Sequence, residues 1–301
     1  MSSGVAHLAK NAQAALGLSM EERLEYIRKP SWIGYPRATA ILQQLSSLVA
    51  TPRGARMPGM TLMGASNNGK TSILQRFHRE NEPYQCPTEL RQVIPSVYVV
   101  APIKPDERKM YTTIVESMGM PYKPNDAIAN LEYKAYQLLA TYRVKVLIVD
   151  EFHQLAAGPA TKQREALNLL KSFSNRLSLS LVCAGTRQSI GLISLDTQFY
   201  SRMTPVPLED WSNDRHWRTL LLSFERVLPL PEPSNLAGAE MASYLHLHSG
   251  GTIGGLRDLL IAATDHAIRG GKSRLSQKIF EDCGWRTPDK QLPEVQRVIG
   301  R

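Results

Sequence analysis

Gly64-Ala65-Ser66-Asn67-Asn68-Gly69-Lys70-Thr71 is the most informative segment of the chain. It fits G-x-x-x-x-G-K-[ST], the phosphate-cradling P-loop. Its flanks suit that reading. Met60-Thr61-Leu62-Met63 before it is short and apolar, like a buried strand, and Ser72-Ile73-Leu74-Gln75-Arg76-Phe77 after it has helical spacing. A strand that feeds a glycine-rich loop into a helix start points backbone N–H groups and the positive end of the helix at an anion. Gly64 and Gly69 allow backbone angles and close approaches that a side chain would block. The motif places Lys70 on the β- and γ-phosphates and the Thr71 hydroxyl on Mg²⁺. The residues expected to line the nucleotide are Gly64, Ala65, Ser66, Asn67, Asn68, Gly69, Lys70, Thr71 and Ser72. The alternative is a glycine turn that happens to precede a helix.

A second stretch weakens that alternative. Val144-Lys145-Val146-Leu147-Ile148-Val149-Asp150-Glu151 is an apolar run ending in two acids. Such a run reads as a strand covered on both faces in a parallel sheet. Ligands of such sheets bind beyond the carboxyl ends of the strands, so the P-loop and the two acids are expected to meet at one edge. Asp150 then fits the Walker B acid that orients Mg²⁺, and Glu151 fits the base that polarises a water for attack on the γ-phosphate. An acidic turn after a buried strand is the plainer reading of the pair.

Outward from these motifs, strands and helices alternate. Ser96–Ala101, Leu179–Ala184 and Pro205–Leu208 read as further strands, giving five in all. Helices are expected over about Arg37–Val49, Pro105–Met118, Asp126–Tyr142, Lys162–Leu177 and Arg187–Leu195. Alternation of this kind implies a parallel sheet with right-handed crossovers. The Ser96 strand comes between the P-loop and the acidic strand, and an inserted strand points to ATPases in which a Glu near the Walker B acid activates water. No Asn-Lys-x-Asp guanine-reading element occurs, which favours ATP over GTP. From Trp211 only helices follow, over about 212–227, 236–249, 254–270 and 275–283. Ser19, with Glu22 after it, marks a helix start in the N-terminal lead-in. The expected domains are an N-terminal helical extension (1–30), an α/β core (31–210), a helical lid (211–285) and a mobile tail (286–301).

The 301 residues are 43% hydrophobic and 21% charged, as in ordinary globular chains. No apolar run is long enough to span a membrane, and the N-terminus lacks a signal-peptide pattern, so a cytoplasmic location is expected. Cys86, Cys183 and Cys283 lie far apart and suggest neither a zinc site nor a disulfide framework. His153 has no second ligand at metal spacing and reads as a strand-end histidine. A formal charge of +9 favours a polyanionic partner such as nucleic acid. Nothing resembles a nuclease carboxylate triad.

Together these motifs resemble an AAA+ (ASCE) P-loop ATPase with a five-stranded parallel sheet and a helical lid. More narrowly, the chain resembles TniB, the transposition helper ATPase related to TnsC, from about Tyr26 to Leu260. The narrower likeness is carried by Trp32-Ile33-Gly34-Tyr35-Pro36-Arg37-Ala38, Asn67-Asn68-Gly69-Lys70-Thr71, Ile148-Val149-Asp150-Glu151-Phe152-His153, Ala184-Gly185-Thr186 and Ser201-Arg202-Met203. It implies a homo-oligomer, ring or filament, that assembles on double-stranded DNA with ATP and Mg²⁺. It also implies binding to a DDE transposase, help in choosing the insertion site, and disassembly on hydrolysis. A target-selection protein is a further expected partner.

By position, the resemblance makes Thr186 the sensor of the γ-phosphate (or else a turn threonine). Arg202 becomes the arginine finger for a neighbouring subunit, with Arg187 as competitor. Arg257 becomes the second sensor (or an ion-pair partner on its helix). Ile33, Gly34 and Tyr35 fall near the adenine (or staple the next helix). Lys104, Arg108, Lys109 and Thr113, after the second strand, become DNA contacts (or a solvated helix face), and Arg53, Arg56, Lys272 and Arg274 could supply the basic surface instead. Met203 departs from the family pattern, which often has Phe there. Two other functional classes fit the same core: a nucleotide-gated scaffold that does not need hydrolysis, and a replication-type helicase loader.

Overall fold

The computed structural model describes residues 5–87 and 91–286. Two compact units result: residues 37–209, and residues 1–36 together with 210–301. The expected mobile tail lies outside the described residues from position 287 onward. In chain order the elements begin with α1 (Lys10–Ala15), α2 (Met20–Arg28), α3 (Pro36–Ala50), β1 (Gly59–Gly64) and α4 (Lys70–Glu80). Next come β2 (Tyr84–Cys86), β3 (Arg91–Val93), β4 (Ser96–Val100), α5 (Glu107–Ser117) and α6 (Ile128–Thr141). Then β5 (Val146–Asp150), a 3₁₀ turn (Phe152–Ala156), α7 (Ala160–Leu177) and β6 (Ser180–Gly185) follow. The α/β unit closes with α8 (Ser189–Ile193), α9 (Thr197–Tyr200) and β7 (Met203–Leu208). The chain continues with α10 (Arg215–Glu225), α11 (Ala239–Ser249), α12 (Ile253–Arg269) and α13 (Gln277–Asp282).

The first unit described is built on a five-stranded parallel sheet in the order β4-β5-β6-β1-β7. Every residue of β5 and β6 is buried, as expected for central strands covered on both faces. The Ser96 strand falls between the P-loop strand and the acidic strand in the chain, as expected. The strand that separates the P-loop strand from the acidic strand in space is β6, whereas the Ser96 strand takes the sheet edge as β4. Spatial order differs from chain order because parallel strands need long crossovers and so need not pair in sequence order. The core on one face joins Ile114, Leu131, Leu147, Leu170 and Phe173, each fully buried. An antiparallel pair, β2 with β3, was not anticipated; its strands have only three residues each, too few to show a period.

The helical unit combines a local cap with bonds between segments far apart in the chain. Ser19 and Glu22 form a reciprocal capping box at the start of α2. Arg28 on α2 pairs with Asp265 on α12 at 2.6 Å, and the Ala9 N–H donates to the Arg226 carbonyl at 2.7 Å. The N-terminal lead-in is therefore packed with the C-terminal helices. Trp217, fully buried, donates from Nε1 to the Ala242 carbonyl, which ties α10 to α11. The Glu225 carboxylate, 8% exposed, accepts three backbone N–H bonds, from Ser234, Asn235 and Leu236, and so fixes the proline-bearing loop after α10. Among the described residues no helix is long and apolar enough to cross a membrane.

Candidate functional site

β1 ends at Gly64 and α4 begins at Lys70, so the loop between them turns at the carboxyl edge of the sheet. Gly64 lies against β7 so closely that an added Cβ would sit 2.4 Å from the Leu208 carbonyl oxygen. Gly69 enters α4 with φ of 89°, a region that favours glycine. Asn68 pins the loop to the end of β7, donating from Nδ2 to the Glu209 carbonyl at 2.9 Å and the Leu208 carbonyl at 3.3 Å. Lys70, 6% exposed, folds back over the loop and donates from Nζ to the carbonyls of Ala65 (2.7 Å) and Gly64 (3.0 Å). The first N–H groups of α4 have no partner within their own helix, and the helix dipole adds positive potential there. This donor set, with a buried ammonium at its centre, suits a polyphosphate.

β5 delivers the acids to the same edge. The Thr71 hydroxyl donates to Asp150 Oδ2 at 2.7 Å. The Tyr98 hydroxyl on β4 donates to the same oxygen, also at 2.7 Å. The Glu151 N–H holds Oδ1 at 2.8 Å. Three donors thus fix a carboxylate that is 1% exposed. Burial first, and then the Asp150 carboxylate, push the Tyr98 phenol well above its usual pKa, so it remains a donor. Sequence reading did not single out Tyr98. It lies mid-strand, and its place opposite the acid depends on the β4–β5 register, which pairs Tyr98 with Ile148 and Val100 with Asp150. A hydroxyl and a carboxylate side by side are hard oxygen ligands of the kind Mg²⁺ takes, so Thr71 and Asp150 fit the metal expected there.

Glu151 turns the chain out of β5 with φ 53° and ψ 31°, a left-handed conformation that costs a residue with a Cβ about 1–2 kcal/mol. Its side chain is 39% exposed and its Oε2 lies 3.5 Å from His153 Nδ1. On the neighbouring strand end, Thr186 Oγ1 is buried and has no hydrogen-bond partner among the described residues. A buried hydroxyl left in this state is suited to a group brought by a ligand.

Other expected site residues lie elsewhere. Arg202 precedes β7, whose Met203 pairs with Gly59 and whose Leu208 pairs with Gly64. At strand rise, roughly 20 Å of sheet separates Arg202 from the P-loop of its own chain. Its Nη1 donates to Asn175 Oδ1 on α7. Arg187 lies in the turn between β6 and α8. Lys104 is exposed in the loop after β4, and that loop is tied back by the Ala101 N–H donating to the Asp150 carbonyl at 2.8 Å. Lys109 is exposed on α5, Arg108 donates to the Pro124 carbonyl at 3.3 Å, and the Thr113 hydroxyl donates to the Lys109 carbonyl at 2.7 Å. In the helical unit, Ile33 and Tyr35 are buried and Gly34 is exposed; the Tyr35 ring meets Trp211 edge-on at 5.0 Å. Arg257 donates to the Arg28 carbonyl at 3.3 Å and lies 3.5 Å from Asp258. Cys86, Cys183 and Cys283 are free, and no cluster of three or more His, Cys, Asp or Glu side chains able to hold a metal exists among the described residues.

A phosphate-binding loop on β1, an acidic pair on β5 and one parallel strand between them define an AAA+ P-loop ATPase fold. Known structures agree on that fold. The Aeropyrum pernix ORC1 protein, solved in complex with DNA, matches with a TM-score of 0.59 and 17% identity, over 92% of this chain and 70% of that one. The ORC2 protein of the same organism, solved as ADPNP–ADP complexes, matches with a TM-score of 0.55 and 17% identity, over 86% and 71%. The Thermotoga maritima RuvB Holliday junction branch migration motor gives 0.52 and 15%, over 92% and 81%. At such identities the likeness concerns the fold alone. No curated protein matches the sequence. The family described as "Bacterial TniB protein" matches residues 23–213, well over half of the chain. The chain belongs to the TniB family.

Proposed function

We propose that this protein is an ATP-hydrolysing regulator of DNA transposition that oligomerises on duplex DNA and engages a DDE transposase. The observation that supports this reading most is the meeting of Lys70, Thr71, Asp150 and Glu151 at one sheet edge in a TniB-family chain. Lys70 and the first N–H groups of α4 hold the β- and γ-phosphates. Thr71 and Asp150 hold Mg²⁺, which neutralises charge on the phosphate oxygens. Glu151 takes a proton from a water as its oxygen attacks the γ-phosphorus and the bond to the β–γ bridging oxygen breaks. Thr186 offers its unpartnered hydroxyl to the γ-phosphate. Arg202 lies too far from its own P-loop to serve it, so it completes the site of an adjacent copy. Arg257, Ile33, Gly34 and Tyr35 contribute to nucleotide binding. Lys104, Arg108, Lys109 and Thr113 track DNA phosphates without reading sequence. Hydrolysis loosens the subunit contacts and releases the assembly.

The test is binding to fluorescent duplex DNA in ATP and in ADP, with electron microscopy of the same samples. ATP-dependent rings or filaments on DNA that are lost in Lys70→Ala are the expected outcome. ATP-dependent DNA binding that survives unchanged in Lys70→Ala would contradict the reading. Lys104→Ala and Lys109→Ala should each lower the salt dependence of binding by about one unit of slope.

A further inference from the structure

His153 stands beside the residue on which hydrolysis turns, and neither the motif nor the metal geometry uses it. Residues two apart do not face each other on a regular helix. Here they meet, because Glu151 is left-handed and the chain enters a 3₁₀ turn directly after it. The turn is rigidly seated. Phe152 and Leu155 are fully buried, the Phe152 ring stacks on Phe199 with an interplanar angle of 3°, and the Gln154 N–H donates to the Glu151 carbonyl at 2.9 Å. That anchor fixes the backbone of His153 beside Glu151. Its Nδ1 is wholly buried and makes no hydrogen bond among the described residues, yet it faces Glu151 Oε2 at 3.5 Å. A buried ring nitrogen left without a partner is costly, and a small rotation of the half-exposed Glu151 side chain would supply one.

We infer that His153 is a positioning residue for Glu151: its Nδ1–H holds Oε2 and so leaves Oε1 aimed at the attacking water. This rests on the proposed role of Glu151 as base and goes beyond it by naming what fixes the base. The proton stays on the imidazole throughout; the water's proton goes to Glu151 Oε1. The left-handed turn at Glu151 then has a purpose, because it brings base and orienter to the same side of the chain.

The test uses the geometry of the two ring nitrogens. Asn places its Nδ2 near the position of Nδ1, whereas Gln places its Nε2 near the position of Nε2. Steady-state ATP hydrolysis and binding of a fluorescent ATP analogue are measured for the full-length wild type, His153→Asn, His153→Gln and Glu151→Gln. The expected result is kcat within about threefold of wild type for His153→Asn and at least about tenfold lower for His153→Gln, with nucleotide affinity and KM unchanged in both. Equal kcat in the Asn and Gln variants, or the opposite order, overturns the inference. A second measurement does not depend on either variant folding. The ¹⁵N spectrum of histidine-labelled wild type should show neutral His153 as the Nδ1–H tautomer, and an Nε2–H tautomer overturns it. Loss of hydrolysis in Glu151→Gln alongside either overturning result leaves the role of Glu151 standing and removes that of His153. Unchanged hydrolysis in Glu151→Gln removes the role of Glu151 itself.

Discussion

Asp150 shows how much a single side chain depends on its neighbours. One of its oxygens is shared by the hydroxyls of Thr71 and Tyr98, and the other is held by the Glu151 N–H. Thr71 comes with the P-loop motif, but Tyr98 comes from the sheet edge and orients the acid. Groups that orient a metal ligand commonly contribute 10–100-fold to metal affinity. Tyr98→Phe removes only the hydroxyl. It should raise the Mg²⁺ concentration for half-maximal ATP hydrolysis by about tenfold, with KM for ATP at saturating Mg²⁺ unchanged. An unaltered magnesium titration would show that the Tyr98 bond does not act on the metal site. At this scale the meeting of the loop after β1 with Asp150 and Glu151 was legible in the sequence because motif spacing carries it. Tyr98 and Asn175 were not, since each meets its partner across a strand register or a helix face that no local pattern encodes.

The elements were legible wherever a period or a cap marks them. The fully buried runs of β5 and β6 and the capping box of α2 follow from apolar runs and from Ser19 with Glu22. The expected helix over Pro105–Met118 begins later, at Glu107, because Asp106 caps it through the Lys109 N–H at 3.0 Å. α9 and the 3₁₀ turn after Glu151 were missed, being too short to establish a period. Asp214 provides an element-scale prediction. It caps α10 by accepting from the N–H groups of His216 and Trp217, at 2.8 and 3.0 Å. The bond from the Trp217 N–H is the main cause that lowers its pKa. A folded-state pKa depressed below the unfolded value gives stability that is present above the unfolded pKa, near 4, and is lost as pH falls through the folded one. Asp214→Ala should cost about 1 kcal/mol at pH 7 and less below pH 3. Asp214→Asn keeps a good cap and should cost little at either pH. Thermal melts at the two pH values check this, and an Asp214→Ala cost that stays equal in acid would contradict it.

For the whole molecule, the sheet order places Arg202 and the P-loop at opposite ends of neighbouring strands. An arginine that completes the site from that position must serve another copy. Lys70→Ala and Arg202→Ala should each lower ATP hydrolysis by at least about 100-fold. An equal mixture of the two should recover activity, because intact sites form wherever an Arg202→Ala protomer borders a Lys70→Ala neighbour in the correct order. Random mixing in a head-to-tail assembly sets a ceiling of about a quarter of wild-type activity, lowered by the weaker assembly of Lys70→Ala protomers. Inactivity of the mixture at concentrations where both variants co-assemble would rule out action in trans. The sequence made the α/β core with helices after it legible as a class. It did not reveal that the N-terminal lead-in packs with the C-terminal helices, because the bonds that join them link positions more than 200 residues apart.

In the proposed reading one pocket, made by Lys70, Thr71, Asp150 and Glu151, binds and cleaves ATP. Its most direct test is a paired measurement on Glu151→Gln: nucleotide affinity by titration and phosphate release at saturating ATP, Mg²⁺ and duplex DNA. Affinity within about threefold of wild type, with phosphate release at least about 100-fold slower, is the predicted result. Phosphate release at the wild-type rate would show that Glu151 is not the base.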